Sequence, residues 1–222
     1  MGTVKARTLS EKMGFSDPDL RTPEHDAIIC WFEENALALL GPWLPNHEKW
    51  SSREVSYITE AFSRHNKTAP QLPEIPLPGS EYGPTIQLCR WEPVIVNARQ
   101  FEVGFMDLLV VVSYPSLFCS TSNDNRASAP EAITVRSEDF SFWIEAKPSV
   151  TSLGELFRQL GLYRKCIHEC PQVGSGYIRQ HKIIVVSPDD RQASRIQSQG
   201  YGFIKSPCPT TTATKSQQRL EF

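Results

Sequence analysis

Apolar residues recur with two different periods along the 222-residue chain. In the N-terminal part the spacing is helical. Thr22-Pro23-Glu24 carries the marks of a helix start: a capping side chain, proline at the first helical position and an acid in the first turn. Ile28, Trp31, Phe32 and Leu39 then supply an apolar face, and Gly41-Pro42 stops the helix. A second helix is expected from about Ser51 to His65, with Val55, Ile58 and Phe62 as its stripe. Residues 69–84 hold five prolines. Such a stretch forms neither a helix nor an inner strand, and an extended linker is expected there.

After the linker the pattern changes to short apolar runs. Residues 85–96 predict a first strand bent at Pro93. Residues 101–113, "FEVGFMDLLVVVS", predict a second, with Asp107 in its middle. Residues 116–138 are polar and rich in turn formers, and predict a mobile loop or a hairpin insertion. "FSFWIEAK" (140–147) predicts a third strand. Ser152 with Glu155 forms a capping box that opens a helix over 153–170. "HKIIVVSP" (181–188) reads as a buried strand, 189–200 as a helix ended by Gly200, and "YGFIKS" (201–206) as a last short strand. Helix-separated strands following a run of consecutive ones predict an α/β fold: a central mixed β-sheet flanked by helices. The expected division is an N-terminal helical region (1–68), the proline-rich linker (69–84), a core (85–205) and a disordered tail (206–222).

Composition changes little in this picture. Hydrophobic residues are 40% and charged residues 22%, and the net charge is −2. That balance argues against a protein that coats polyanions by bulk charge, but local basic patches and bound cations still permit nucleic-acid chemistry. The longest apolar run, Leu108–Val112, is too short to span a bilayer. A cytoplasmic protein with no membrane association is expected. The six cysteines include no Cys-x-x-Cys. Cys166 and Cys170 fall on one helix face, yet no convincing set of about four metal ligands assembles around them, so reduced structural cysteines are expected.

Charge placement changes more. An apolar strand that ends in Glu145-Ala146-Lys147 puts a carboxylate and an ammonium on the same face, with Ala146 turned away. Asp107, among apolar neighbours, needs something to compensate its charge. If the two strands are neighbours, Asp107 and Glu145 converge. A divalent cation relieves their repulsion, and oxygen ligands favour Mg2+ or Mn2+.

Asp107 followed by Glu145-x-Lys147 at the end of the next strand resembles the PD-(D/E)XK nuclease superfamily. Met106 stands where the eponymous proline would be. Gln159 and Tyr163, one turn apart on the following helix, form a Gln-x-x-x-Tyr similar to that of the RecB-like and lambda-exonuclease-like branch. The resemblance covers roughly 85–205 and implies a restriction-endonuclease-like core, αβββαβ. It also implies a Mg2+-dependent deoxyribonuclease (Mn2+ as substitute, Ca2+ supporting binding at best). The metal would lie on Asp107, Glu145 and the Ala146 carbonyl. Lys147 would orient water or stabilise developing charge. Gln159 would position Lys147, water or a phosphate, and Tyr163 would contact the DNA backbone or brace the helix.

The family often adds an upstream Glu or His from a helix. Glu34, Glu24, Glu54, Glu60, His25 and Glu92 are available, and Glu34 is favoured for its partly apolar surroundings. His25, His168 and His181 are otherwise read as surface or supporting groups. Arg158, Arg164, Lys165, Arg179 and Lys182, with Glu169 as the single acid among them, make a candidate phosphate track. DNA is the expected partner, in a homo-oligomer or a larger DNA-processing complex, with phage defence or recombination as the usual settings. Exonuclease, endonuclease and nicking activities stay open. Two other classes also stay open: a catalytically silent nucleic-acid-binding or assembly subunit, and a small-nucleotide phosphoesterase.

Overall fold

Strands buried on both faces need apolar residues at successive positions, not alternate ones. Leu108–Val112 and Ile183–Val186 meet this condition, and Phe140–Ile144 departs from it only at the buried Ser141; all three lie in the inner strands of the sheet. The computed structural model of the chain describes residues 22–45, 49–72, 84–121, 130–170 and 178–208. In chain order the strands are β1 (Thr85–Trp91), β2 (Val94–Val96), β3 (Glu102–Phe105), β4 (Leu108–Thr121), β5 (Pro130–Ala146), β6 (Ile178–Ser187) and β7 (Gly202–Lys205). The helices are α1 (Pro23–Leu40), α2 (Ser52–Ser63), α3 (Leu153–Cys166) and α4 (Ala193–Ser198).

Five strands form one mixed sheet in the order β1-β4-β5-β6-β7. The pairs β1/β4 and β4/β5 are antiparallel, and β5/β6 and β6/β7 are parallel. The α/β class with helices around a mixed sheet is therefore as the sequence predicts. Alternation sorts the side chains. Leu109, Val111, Trp143, Ile183 and Val185 face a core shared with Leu156, Leu160 and Tyr163 of α3 and Ile196 of α4. Leu108, Val110, Phe142, Ile144, Ile184 and Val186 face Ile28, Ile29, Phe32, Ala36 and Leu40 of α1. Helix α1 thus closes one face of the sheet and α3 the other.

Two expectations for the strands need correction. Residues 85–96 are not one bent strand but two, in different sheets. Glu92 takes a positive φ of 47° and Pro93 cannot donate a ladder bond, so the pairing breaks between β1 and β2. Residues 101–113 divide in the same way. β3 pairs only with β2 in a separate two-stranded hairpin, and Asp107 lies at the break before β4, not mid-strand.

Of the two forms expected for residues 116–138, a mobile loop or a hairpin insertion, the described residues take the second. β4 and β5 stay in register from Leu108↔Ile144 out to Ser120↔Ala132, and shift by one residue before Thr121↔Pro130, forming a ribbon that outruns the rest of the sheet. β1 reaches only Ser113 on one side, and β6 reaches only Asp139 on the other. α2 packs on this ribbon through Ile58, Phe62 and Leu117. Most of the expected linker (73–83) and tail (209–222), and residues 122–129 between β4 and β5, lie outside the described residues.

Candidate active site

Leu108 pairs with Ile144, so the next residue outward on each strand, Asp107 and Glu145, meets at the same end of the sheet. The Asp107 N–H donates to the Ile144 carbonyl at 3.1 Å. Its carboxylate turns back over the strand end, where Oδ2 accepts from the Ala146 N–H at 2.6 Å. That bond fixes Asp107 against the Glu-Ala-Lys segment. Both carboxylates are buried, Asp107 at 8% and Glu145 at 3% exposure. Two such charges are costly together unless cations attend them.

Lys147 and His25 stand beside these carboxylates. Lys147 Nζ lies 3.1 Å from Glu145 Oε1, as expected for two residues on one strand face. His25 Nε2 lies 3.2 Å from Asp107 Oδ1. His25 sits in the first turn of α1, where the Thr22 hydroxyl accepts from its N–H at 3.2 Å. Its Nδ1 is 3.3 Å from Asp26 Oδ1. Burial pushes the His25 imidazole down, but the hydrogen bond and charge of Asp107, helped by Asp26, outweigh this and raise it above its ordinary value.

Helix α3 closes the site from the other face. Ser152 caps it by accepting from the Glu155 N–H at 3.4 Å. Gln159 Nε2 donates to Glu145 Oε1 at 3.0 Å, and lies 3.4 Å from the Tyr163 hydroxyl. Burial and the negative charges of Glu145 and Asp107 push the Tyr163 phenol up, and the Gln159 hydrogen bond and Lys147 oppose them. All four groups therefore stand within electrostatic reach of one hydroxyl. Tyr163 itself is held by β3: a Cβ on Gly104 would collide with its hydroxyl.

Of the sequence-predicted residues, the structure brings together Asp107, Glu145, Ala146, Lys147, Gln159 and Tyr163. It does not bring in Glu34, which is exposed on α1 away from the buried stripe. His25, one of the alternatives, stands against Asp107 instead. Glu54 belongs to a different cluster on the ribbon, and Glu60 pairs with Arg64 at 2.8 Å.

The expected phosphate track is only partly available. Arg164 donates to the Gln199 carbonyl at 2.9 Å and stacks 3.9 Å over the Tyr201 ring. Lys182 donates to the Gly200 carbonyl at 3.1 Å. These two cations hold the turn after α4. Arg158 and Lys165 are exposed on α3, and the Arg179 side chain lies outside the described residues.

Among the described residues no group of three or more His, Cys, Asp and Glu side chains could by itself hold a metal ion. The donor chemistry nevertheless fits Mg2+. That ion keeps several waters and takes one or two carboxylates plus substrate oxygens, seldom an all-protein cage. Asp107 and Glu145, with the carbonyl of Ala146 next to Glu145 in sequence, are such a set. Compared with protein-family models, with curated proteins and with solved structures, the chain matches none.

Proposed function

We propose that the chain is a divalent-metal-dependent nuclease that hydrolyses DNA phosphodiester bonds on a restriction-endonuclease-like core. One observation carries the reading: Asp107, Glu145 and Lys147 meet at one end of two paired inner strands, with Gln159 of the next helix bonded to Glu145. A buried pair of carboxylates with an ammonium beside them is a charge arrangement that phosphoryl chemistry can use.

Bound at Asp107, Glu145 and the Ala146 carbonyl, Mg2+ would polarise the phosphate and lower the pKa of a water. The chain's own residues supply the rest. The Ala146 N–H fixes one oxygen of Asp107 and leaves the other directed towards His25. Gln159 holds Glu145 in place from the helix side. Lys147 orients the attacking water or neutralises charge developing on the phosphate. Tyr163, buried and kept neutral, braces Gln159.

A second reading is a nucleic-acid-binding or assembly subunit without catalysis. It is favoured by the charge compensation already within the site, where Lys147 faces Glu145 and His25 faces Asp107. Incubating supercoiled and linear DNA with the protein in Mg2+, with and without EDTA and beside Asp107→Ala, separates the two. Chelator-sensitive cleavage that disappears in Asp107→Ala supports the nuclease. Cleavage equal in all arms, or none in any, refutes it.

A further inference from the structure

The β2–β3 hairpin has a feature that the chemistry above does not use. Two of its aromatic side chains are exposed, Phe101 at 64% and Phe105 at 44%. Single exposed apolar residues are ordinary. Here two fall within five residues, on an element built to stay still beside the site.

The turn is pre-organised. The Asn97 side-chain oxygen accepts from the N–H groups of Arg99 at 2.9 Å and Phe101 at 3.1 Å. The Asn97 N–H donates to the Phe101 carbonyl at 3.0 Å, and Gln100 takes a positive φ of 61° to close the loop. The other end is anchored to the site. Gly104 lies against Tyr163, Tyr163 contacts Gln159, and Gln159 holds Glu145. Phe105 is two residues from Asp107, a reach of at most about 7 Å along the chain, within the spacing of one nucleotide step.

We propose that this hairpin stacks unpaired bases, so that the substrate strand is single-stranded beside the scissile phosphate. This rests on the nuclease reading for its phosphate. In a duplex both faces of every base are already covered, so an aromatic side chain finds a face only on unpaired nucleotides. Ordering costs are low, because the turn and Gly104 fix the backbone before the strand arrives. Arg99 at the tip supplies a cation for the strand's phosphates, and Glu102, also exposed, keeps the hairpin from binding polyanions by charge alone.

The test measures binding in EDTA, apart from chemistry, at a salt concentration high enough to suppress phosphate contacts. Fluorescence anisotropy compares a short single-stranded oligothymidylate with a fully paired duplex that has no loop or overhang. Wild type should favour the single strand by about tenfold or more. Phe101→Leu/Phe105→Leu, which stays apolar but cannot stack, should lose about tenfold or more on the single strand. Phe101→Trp/Phe105→Trp should retain binding. Both positions are exposed, so the core is not disturbed. Equal wild-type affinity for the two ligands, or leucine variants that bind the single strand like wild type, overturns the proposal. If the aromatics govern binding but wild type cleaves nothing in Mg2+, stacking stands and the nuclease reading fails.

Discussion

Two residues of the site respond to substitution in opposite ways. Asp107→Ala removes a carboxylate that would hold the metal and also strands the Ala146 N–H. Metal binding and cleavage should be lost together. Lys147→Ala leaves both carboxylates and removes the ammonium 3.1 Å from Glu145. Mn2+ affinity should hold or rise, while cleavage falls by about two orders of magnitude or more, as when a charge directed at the transition state is removed. Calorimetric titration with Mn2+ beside a cleavage assay on the same preparations checks both; wild-type cleavage by Lys147→Ala would make that residue a mere strand end. Gly104 offers a third substitution. Alanine there meets the Tyr163 hydroxyl and ring edge, and neither the strand backbone nor the helix yields easily. Overpacking of this kind costs about 1–3 kcal/mol. Gly104→Ala should therefore lower the denaturation midpoint and reduce cleavage by displacing Gln159 from Glu145. An unchanged midpoint would show that Tyr163 can swing away.

Among the elements, α2 depends on one carboxylate. Glu54 is buried and accepts from Ser51 N–H at 2.9 Å, Ser116 Oγ at 2.9 Å and Leu117 N–H at 3.2 Å. It caps its own helix and joins that helix to the ribbon. Burial pushes its carboxyl up, but these hydrogen bonds prevail and hold it below its ordinary value of 4.5. The folded form therefore prefers the ionised group. The stability this gives is present above the ordinary value and is lost as pH falls through the lower folded value. Glu54→Leu leaves the Leu117 N–H without its acceptor and should destabilise by about 2 kcal/mol or more. Urea unfolding at neutral pH should show it, and the gap from wild type should narrow at about pH 4 and below.

The same scale shows what the sequence discloses. Leu108–Val112 is apolar at every position and Phe140–Ile144 at every one but Ser141, and such runs mark inner strands. With strand alternation they are enough to bring Asp107 and Glu145 together. The break at Asp107 was not legible, because no proline or glycine stands at Met106-Asp107. What ends the ladder is the turn-back of the Asp107 carboxylate onto Ala146, a tertiary bond. His25 was legible in principle. It lies on the stripe of Ile28, Ile29, Phe32, Ala36 and Leu40 that α1 buries, whereas Glu34 lies off it. Helical spacing thus carried the choice, and the apolar neighbours of Glu34 misled. The ribbon is legible only as one of two alternatives, a loop or a hairpin insertion, because its exposed positions are polar and "STSNDNRASAP" is rich in turn formers.

For the whole molecule, the titration of buried imidazoles sets an acid limit. His181 Nδ1 is 2.7 Å from Ser141 Oγ, which also receives the Trp143 N–H at 3.1 Å. With Nδ1 unprotonated the ring accepts from the serine hydroxyl; with Nδ1 protonated it donates to the oxygen's second lone pair. Burial pushes the imidazole down to about 4, and the neighbouring His168 adds to the effect. The unfolded ring takes its proton near its ordinary 6.5. Stability from this group is thus complete above about 6.5 and is progressively lost as pH falls from there through about 4. His25, shifted upward, acts in the other sense: its contribution is present at low pH and lost as pH rises through its folded value. Thermal melts across this range should decline on the acid side, and His181→Gln should flatten that decline. An identical acid slope in the variant would assign it to other groups.

The length of the β4–β5 ribbon has a kinetic consequence. Fourteen residue pairs close across one loop, so this hairpin forms with the least loop-closure entropy of any pairing in the sheet. β1 can add only once β4 is presented, and β6 and β7 dock in parallel only after α3 has crossed over. The ribbon is then the first structure on the folding path, and the strand ends bearing Asp107 and Glu145 are its last rungs to be fastened. Val110→Ala and Phe142→Ala should slow refolding, whereas Ile204→Ala on β7 should chiefly speed unfolding. Stopped-flow chevrons that instead assign β7 to the rate-limiting nucleus would reverse this order of assembly.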